Sequence, residues 1–252
     1  DTDIALRQAY IEISELLGTR GYLWLGSRMA RGDDAYLLDF WPLDDLNIVA
    51  VGGGWRGERR DIGLLVGLNQ PARQDQIQRL QTPDPSFGAT ETVALNRQRI
   101  IAATHAEQRW GGGAGRLGVK VKLYGELHFL PKGQRTLSDS YNEREALPDD
   151  RGWLLGAQVG LWNYARNGHT NLWVRYANGL ASYDELQKPY GLNRDRRADG
   201  AEEVRVAISG NYETGRLGLM YATYYRFFRD ADSNHEDFDD RHEWVAAVRG
   251  LW

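Results

Sequence analysis

Between Leu117 and Phe129 apolar side chains take alternate positions. Leu117, Val119, Val121, Leu123, Leu127 and Phe129 share one face, broken only at Gly125, while Lys120, Lys122, Tyr124, Glu126 and His128 share the other. A period of two sustained over this length is a strand signal and not a helix signal. At about 3.3 Å per residue the segment also reaches across a tilted bilayer path. The zigzag recurs downstream. Trp153, Leu155, Ala157, Val159 and Leu161 oppose Leu154, Gln158 and Trp162; Leu172, Val174 and Tyr176 oppose Trp173 and Arg175. Val204, Val206, Ile208 and Tyr212 oppose Arg205, Ser209 and Asn211, and Leu217, Leu219, Tyr221, Tyr225 and Phe227 oppose Tyr224 and Arg226. Trp244, Ala246, Val248 and Trp252 oppose Arg249.

The first half reads as strands over Tyr22–Arg31, Tyr36–Trp41, Asn47–Trp55, Ile62–Asn69 and Thr92–His105, with less regular alternation. Asp3–Leu16 fits a strand or a helix, because Leu6, Tyr10, Ile13 and Leu17 also share a helical face closed by Gly18. The sum is about twelve strands. Short turns such as 56–60 and 213–216 alternate with long polar stretches at 70–90, 134–150, 181–201 and 230–240. Membrane barrels separate their two ends in this way. Residues 71–81 have room for a helical turn or two, with Ile77 and Leu80 on one face. No fixed-period repeat or low-complexity linker marks a boundary, so 1–252 reads as one domain.

Composition removes several classes. The 31 Lys and Arg against 35 Asp and Glu give a net charge of −4, with no basic excess to condense on nucleic acid. The absence of Cys removes thiolate metal sites, cysteine nucleophiles and disulfides. No run of about 18 apolar residues could form a membrane-spanning helix. No start methionine or leader pattern precedes Asp1, so the sequence reads as a processed form or an excised piece. What remains is rich in Tyr (13) and Trp (9), whose apolar bodies and polar tips suit membrane boundaries and sugar-binding surfaces. Two architectures accommodate that: a transmembrane antiparallel β-barrel, or a secreted carbohydrate-binding β-sandwich.

The charged rows separate the two. A charge facing lipid near the midplane costs about 2–4 kcal/mol, so in a barrel Lys120, Lys122, Glu126, Arg175, Arg205 and Arg226 look inward. In a sandwich they form the solvent face. Trp24, Trp162, Trp173 and Tyr224 lie on the same rows as these charges, and a solvent face rarely carries so many large rings. The all-β transmembrane barrel is the expectation taken forward.

Leu23-Trp24-Leu25-Gly26-Ser27-Arg28, followed by Asp33-Asp34-Ala35-Tyr36-Leu37-Leu38-Asp39-Phe40-Trp41, resembles the maltoporin (LamB) family of sugar porins, with its W-A-G-K-R strand, H-D-x-H turn and I-D-F-Y-Y-W-D return. Ala5-Leu6-Arg7-Gln8-Ala9 is similar to the family's F-R-E-A, Asp150-Arg151-Gly152-Trp153-Leu154 to D-G-W-L-F, and Val174-Arg175-Tyr176-Ala177 to V-Q-Y-A. The resemblance implies an outer-membrane barrel in the bacterial envelope, trimeric in the family, with an aromatic slide facing a polar track. Arg7 and Asp39 then match the track arginine and aspartate, and Trp41 stands where the family has a constriction tyrosine. The arginine before the family's H-D falls at Gly32, beside Arg31, and the slide aromatic near His169 is missing. Family barrels have eighteen strands. The chain is therefore either a contracted barrel of about twelve strands or the middle portion of a longer one, lacking N- and C-terminal strands.

Sugars are polyols with apolar faces: rings contact the faces by dispersion, and charged groups hydrogen-bond the hydroxyls. Trp24, Trp41, Trp162, Trp173 and Tyr224 are the candidate ring contacts. Arg7, Arg28, Asp39, Lys120, Lys122, Glu126, Arg175 and Arg205 are the candidate polar partners. Each would equally fill the lumen as part of an ion-pair ladder. The excess of Arg and Lys on these rows suggests tolerance of anionic solutes. Expected partners are outer-membrane lipid, an oligosaccharide or other small hydrophilic solute, and two further copies in a homotrimer. No cofactor is implied. An enzyme would need an acid or Ser beside a positioned His; His105, His169, His235 and His242 show no such companion in the sequence, and His128, inward near Glu126, reads as a ladder neighbour on its strand face. The stretch from Asp230 to Glu236 starts like a calcium loop, but His235 and Arg241 stand where that loop needs Gly and Glu, so no metal is expected.

Overall fold

The computed structural model describes residues 8–16, 18–69, 80–84, 88–92, 98–113, 115–136, 144–164, 168–183, 192–232 and 241–251. The strands in chain order are β1 (Ala9–Leu16), β2 (Gly21–Arg31), β3 (Asp45–Arg56), β4 (Arg60–Asn69), β5 (Leu80–Asp84), β6 (Gly88–Thr92), β7 (Ile100–Gly111) and β8 (Gly118–Leu130). They continue with β9 (Gly133–Thr136), β10 (Arg144–Leu147), β11 (Asp150–Tyr164), β12 (Gly168–Gly179), β13 (Glu202–Thr214), β14 (Leu217–Arg229) and β15 (Arg241–Leu251). β5 with β6 and β9 with β10 are small hairpins, and the other strands form one 11-stranded antiparallel meander with β1 and β15 at its open edges.

Register confirms the face assignment. The expected outer row is exposed, with Leu123 at 59%, Leu127 at 66% and Leu155 at 59%, whereas Lys122, Glu126, His128, Gln158, Arg175, Arg205 and Arg226 are buried on the concave side. A sandwich would press the apolar row against a second sheet, and among the described residues that row meets none. Exposed rings flank the aliphatic band at both ends. Phe129 and Trp153 stand toward the long loops, and Trp55, Trp110 and Tyr212 toward the short turns. From Ile100 to Trp110 the outer row of β7 spans about 33 Å. A tilt of about 40° shortens this to about 25 Å, the height of the apolar band of a membrane barrel.

Several segments depart from expectation. The sheet has eleven strands rather than about twelve. Tyr36–Trp41 is no strand: Tyr36–Leu38 is a turn of 3-10 helix with one bridge between Ala35 and Phe40. The interval read as one strand over Thr92–His105 is split between the end of β6 and the start of β7. The strand option holds at Ala9–Leu16. Arg7 and Trp252 lie outside the described residues, as does most of the helical option at 71–81, whose last two residues open β5 instead.

The segment between β2 and β3 folds inward. Leu43 is fully buried and sits in one apolar cluster with Trp24, Ile48, Ile101, Leu154 and Trp173. A second cluster of Leu130, Leu147, Leu180, Tyr183, Leu192 and Phe228 packs at the long-loop end.

Candidate functional site

Three successive lateral rows of the sheet carry the chemistry. In the first, Tyr22 on β2 pairs through Gly54 and Gly63 with His105, Tyr124, Gly156, Arg175, Arg205, Arg226 and finally Glu243. One step toward the long loops lies a row with Glu12, Trp24, Gly52, Glu126, Leu154, Glu203 and Phe228. One step the other way lies a row with Arg56, Asp61, Glu107, Lys122, Gln158, Trp173 and Tyr224. Residues more than two hundred positions apart in sequence thus share one belt.

On β2 to β4 the wall is built for rings. A β-carbon at Gly52 would lie 2.5 Å from Trp24 Nε1, and one at Gly54 or Gly63 would lie 2.9 Å from the Tyr22 hydroxyl. Glycine lets the indole and the phenol lie close over the backbone of the neighbouring strands. Paired ions border them. Arg28 binds Glu12 at 2.9 Å and lies over the Tyr10 ring at 4.6 Å. Arg56 bridges Asp61 at 3.5 Å and lies over Tyr22 at 4.4 Å, and His105 meets Asp61 at 3.3 Å. These groups, with Lys122 and Tyr124, line a cavity of 260 Å³ that the inward loop borders at Gly32, Asp33 and Asp44.

The loop is fastened at three places. Asp33 accepts hydrogen bonds from Lys120 on β8 and Gln158 on β11. Asp44 accepts one from Lys122 at 2.6 Å. Phe40 stacks on Tyr224 of β14, with the Arg205 guanidinium 4.9 Å from the Phe40 ring centre. Burial pushes the Asp33 carboxyl up, but the Lys120 charge and the two hydrogen bonds outweigh it and hold the group below the ordinary carboxylate range. At Asp44 burial prevails over the Lys122 charge and raises the carboxyl above that range. Beyond the loop a second cavity of 550 Å³ is lined by Asp34, Tyr36, His169, Asn171 and Ser209.

On β12 to β14 three arginines stand directly opposite one another in register, an arrangement that would repel. Glu203, with no exposed surface, resolves it: Arg175 approaches at 3.3 Å, Arg205 at 2.9 Å, and Arg226 also binds it. On β8, Tyr124 donates to Glu126 at 2.6 Å and the His128 ring meets the other Glu126 oxygen at 2.5 Å.

The expected site residues therefore fall into groups. Trp24, Arg28 and Lys122 meet at the first cavity, while Arg175, Arg205 and Tyr224 meet at the far attachment of the loop. Lys120 and Glu126 serve the loop and the wall. Trp173 is 1% exposed and belongs to the apolar cluster. Trp162 lies at the short-turn end against Gly112 and Gly118, away from both groups. Asp39 ends the 3-10 turn in the left-handed region (φ 47°) and is exposed. Trp41 lies under the Arg31 guanidinium at 4.1 Å, with Arg31 bound to Asp45 at 2.5 Å. It is Phe40, and not Trp41, that reaches Tyr224. Sequence reasoning passed over Tyr22, Phe40, Asp61 and Glu203. The alternation around Glu203 was its available signal; the rest became visible only with the register.

Of the cations read as an inner-face excess, Arg28, Lys120 and Lys122 each pair with one carboxylate, whereas Arg175, Arg205 and Arg226 share Glu203. A family model described as LamB porin matches residues 1–252. No curated protein matches the chain.

Proposed function

Because the chain belongs to the LamB porin family, a family of sugar channels of the bacterial outer membrane and not of enzymes, we propose that it passes neutral oligosaccharides along its concave face. The observation that carries this reading is the 260 Å³ cavity beside two largely buried rings, Trp24 and Tyr22 (5% and 7% exposed), which line it among ion-paired donors and acceptors. In this proposal the apolar face of a pyranose meets the uncovered part of these rings by dispersion, and its hydroxyls find Arg28, Asp61, His105 and Lys122 within the same cavity. Because these ions are already paired, they offer hydrogen bonds without a net field, which suits an uncharged polyol. Weak contacts repeated along the path let the solute leave as readily as it enters.

In this reading the exposed Asp39 and the Arg31–Trp41 stack meet the solute at the inward loop. Tyr224 and Arg205 hold the loop through Phe40, Arg175 backs Arg205 through the shared Glu203, and Arg7 is proposed for the polar track on the resemblance alone. Assembly as a homotrimer is part of the same proposal. The open sheet also requires completion. With eleven antiparallel strands the two edge strands run in the same direction, so antiparallel closure takes an odd number of further strands and gives the even total of bacterial barrels.

Single-channel recording in a planar bilayer tests the reading. Maltotriose is expected to interrupt the current in a concentration-dependent way, and Trp24→Ala to weaken that block. A channel whose current saturating maltotriose leaves untouched would overturn it.

A further inference from the structure

The short-turn end of the sheet bears an arginine surface unrelated to the solute path. Arg59, in the β3–β4 turn, and Arg116, in the β7–β8 turn, are exposed, and neither side chain has a partner among the described residues. The β3–β4 turn is tied to the last turn-ward stretch of β7, which leads into the turn of Arg116: the Arg109 N–H donates to the Arg59 carbonyl at 2.8 Å. Arg60 opens β4 on the lipid-facing row of Ile62 and Leu64, and Gln108 of β7 accepts from its Nε at 2.7 Å. The guanidinium is thereby oriented without being neutralised. Immediately on the membrane side stand Trp110, 50% exposed, and Leu117, 53% exposed.

We propose that Arg59, Arg60 and Arg116 bind phosphates of anionic glycerophospholipid headgroups in the leaflet at the short-turn end. The proposal rests on the membrane-embedded reading of the family but not on the solute. A guanidinium presents a planar fork matched to phosphate oxygens. The position of the three, just beyond exposed Trp110 and on an outward row, fits a lipid bound beside the sheet rather than a solute inside it. Two carboxylates at this end are engaged elsewhere: Glu107 binds Arg109 at 2.5 Å, and Glu58 faces Arg20 at 3.4 Å.

The test uses the full-length protein reconstituted with spin-labelled phosphatidylglycerol or phosphatidylcholine. At low salt the immobilised fraction of phosphatidylglycerol is expected to exceed that of phosphatidylcholine about fivefold, the effect of one basic residue near a lipid surface. The triple variant Arg59→Gln, Arg60→Gln, Arg116→Gln is expected to bring the two lipids to parity while conductance stays at the wild-type level. Lys132→Gln with Arg194→Gln, at the opposite end, should leave the preference intact. Equal immobilisation of the two lipids by the wild type, or a preference that survives in the triple variant, overturns the proposal. So does binding of inorganic phosphate in detergent without any lipid preference, which would mark a site for free anions. Loss of sugar block with the lipid preference retained would instead count against the solute path alone.

Discussion

Phe40 of the inward loop and Tyr224 of β14 stack with ring centroids 4.9 Å apart and planes 30° from parallel. The loop leaves β2 and rejoins the sheet at β3, yet this contact attaches it near the opposite edge. The stack therefore fixes how much of the concave face the loop covers.

Removing the stack should widen the path. An aromatic pair contributes about 0.5–1.5 kcal/mol. Phe40→Ala is accordingly expected to raise single-channel conductance and to increase the half-blocking concentration of maltotriose about two- to tenfold. Tyr224→Ala should behave alike, and the double variant should add little to either, because both remove the same contact. Conductance and block measured on the four proteins check this.

Trp24 depends on Gly52. Gly52→Val places carbon where the indole lies, so the ring must move although the new residue touches no solute. Weaker sugar block at nearly unchanged stability is the expected result, read from current noise and from the temperature of heat-modifiable gel mobility.

Glu203 is the carboxylate shared by three guanidiniums out of contact with water. Glu203→Gln leaves those charges buried with one carboxylate fewer, a class of change that costs about 3–5 kcal/mol. The heat-modifiable transition should fall well below that of the wild type. Glu58→Gln, at an exposed pair, should hardly shift it.

Acid should act on the loop in two stages. A carboxyl held below its ordinary pKa, as at Asp33, favours the docked loop above the ordinary range and loses that contribution as pH falls through the depressed value. Asp44 has the opposite sign: its contribution is complete below the ordinary range and is lost as pH rises through the raised value. Acidification therefore protonates Asp44 first, and Asp33 retains the loop until stronger acid. Conductance is expected to stay level through the ordinary carboxylate range near pH 4 and to rise only below it. Asp33→Asn should show the raised conductance already at neutral pH. A conductance titration of both proteins decides the point.

The Lys122–Asp44 pair should set part of the ion selectivity. Lys122→Gln, which leaves Asp44 without its cation, is expected to shift the reversal potential in a potassium chloride gradient toward cations relative to the wild type.

The faces of the strands were legible because a period of two is a local property. Lys122 and Leu123 declare their sides whatever surrounds them. The partners were not legible. Lys120 meets Asp33, Arg56 meets Asp61 and His105 meets Asp61 only through register and loop path, which no local pattern encodes. Tyr36–Trp41 misled because its apolar and aromatic residues suit a strand. They serve instead to pack a loop into the concavity, where Leu43 finds the apolar cluster and Phe40 finds Tyr224. Arg175, Arg205 and Arg226 were readable as inward; that they converge on Glu203 was not.

The bare backbone at Gly52, Gly54 and Gly63 means that this stretch of wall has no side chains of its own toward the water. Its surface is borrowed from Tyr22 and Trp24, so the ring and the strand it rests on constitute one inherited unit. A new residue at position 24 changes what a passing molecule feels and, in the same stroke, uncovers the peptide groups beneath, which would then compete with the solute for hydration.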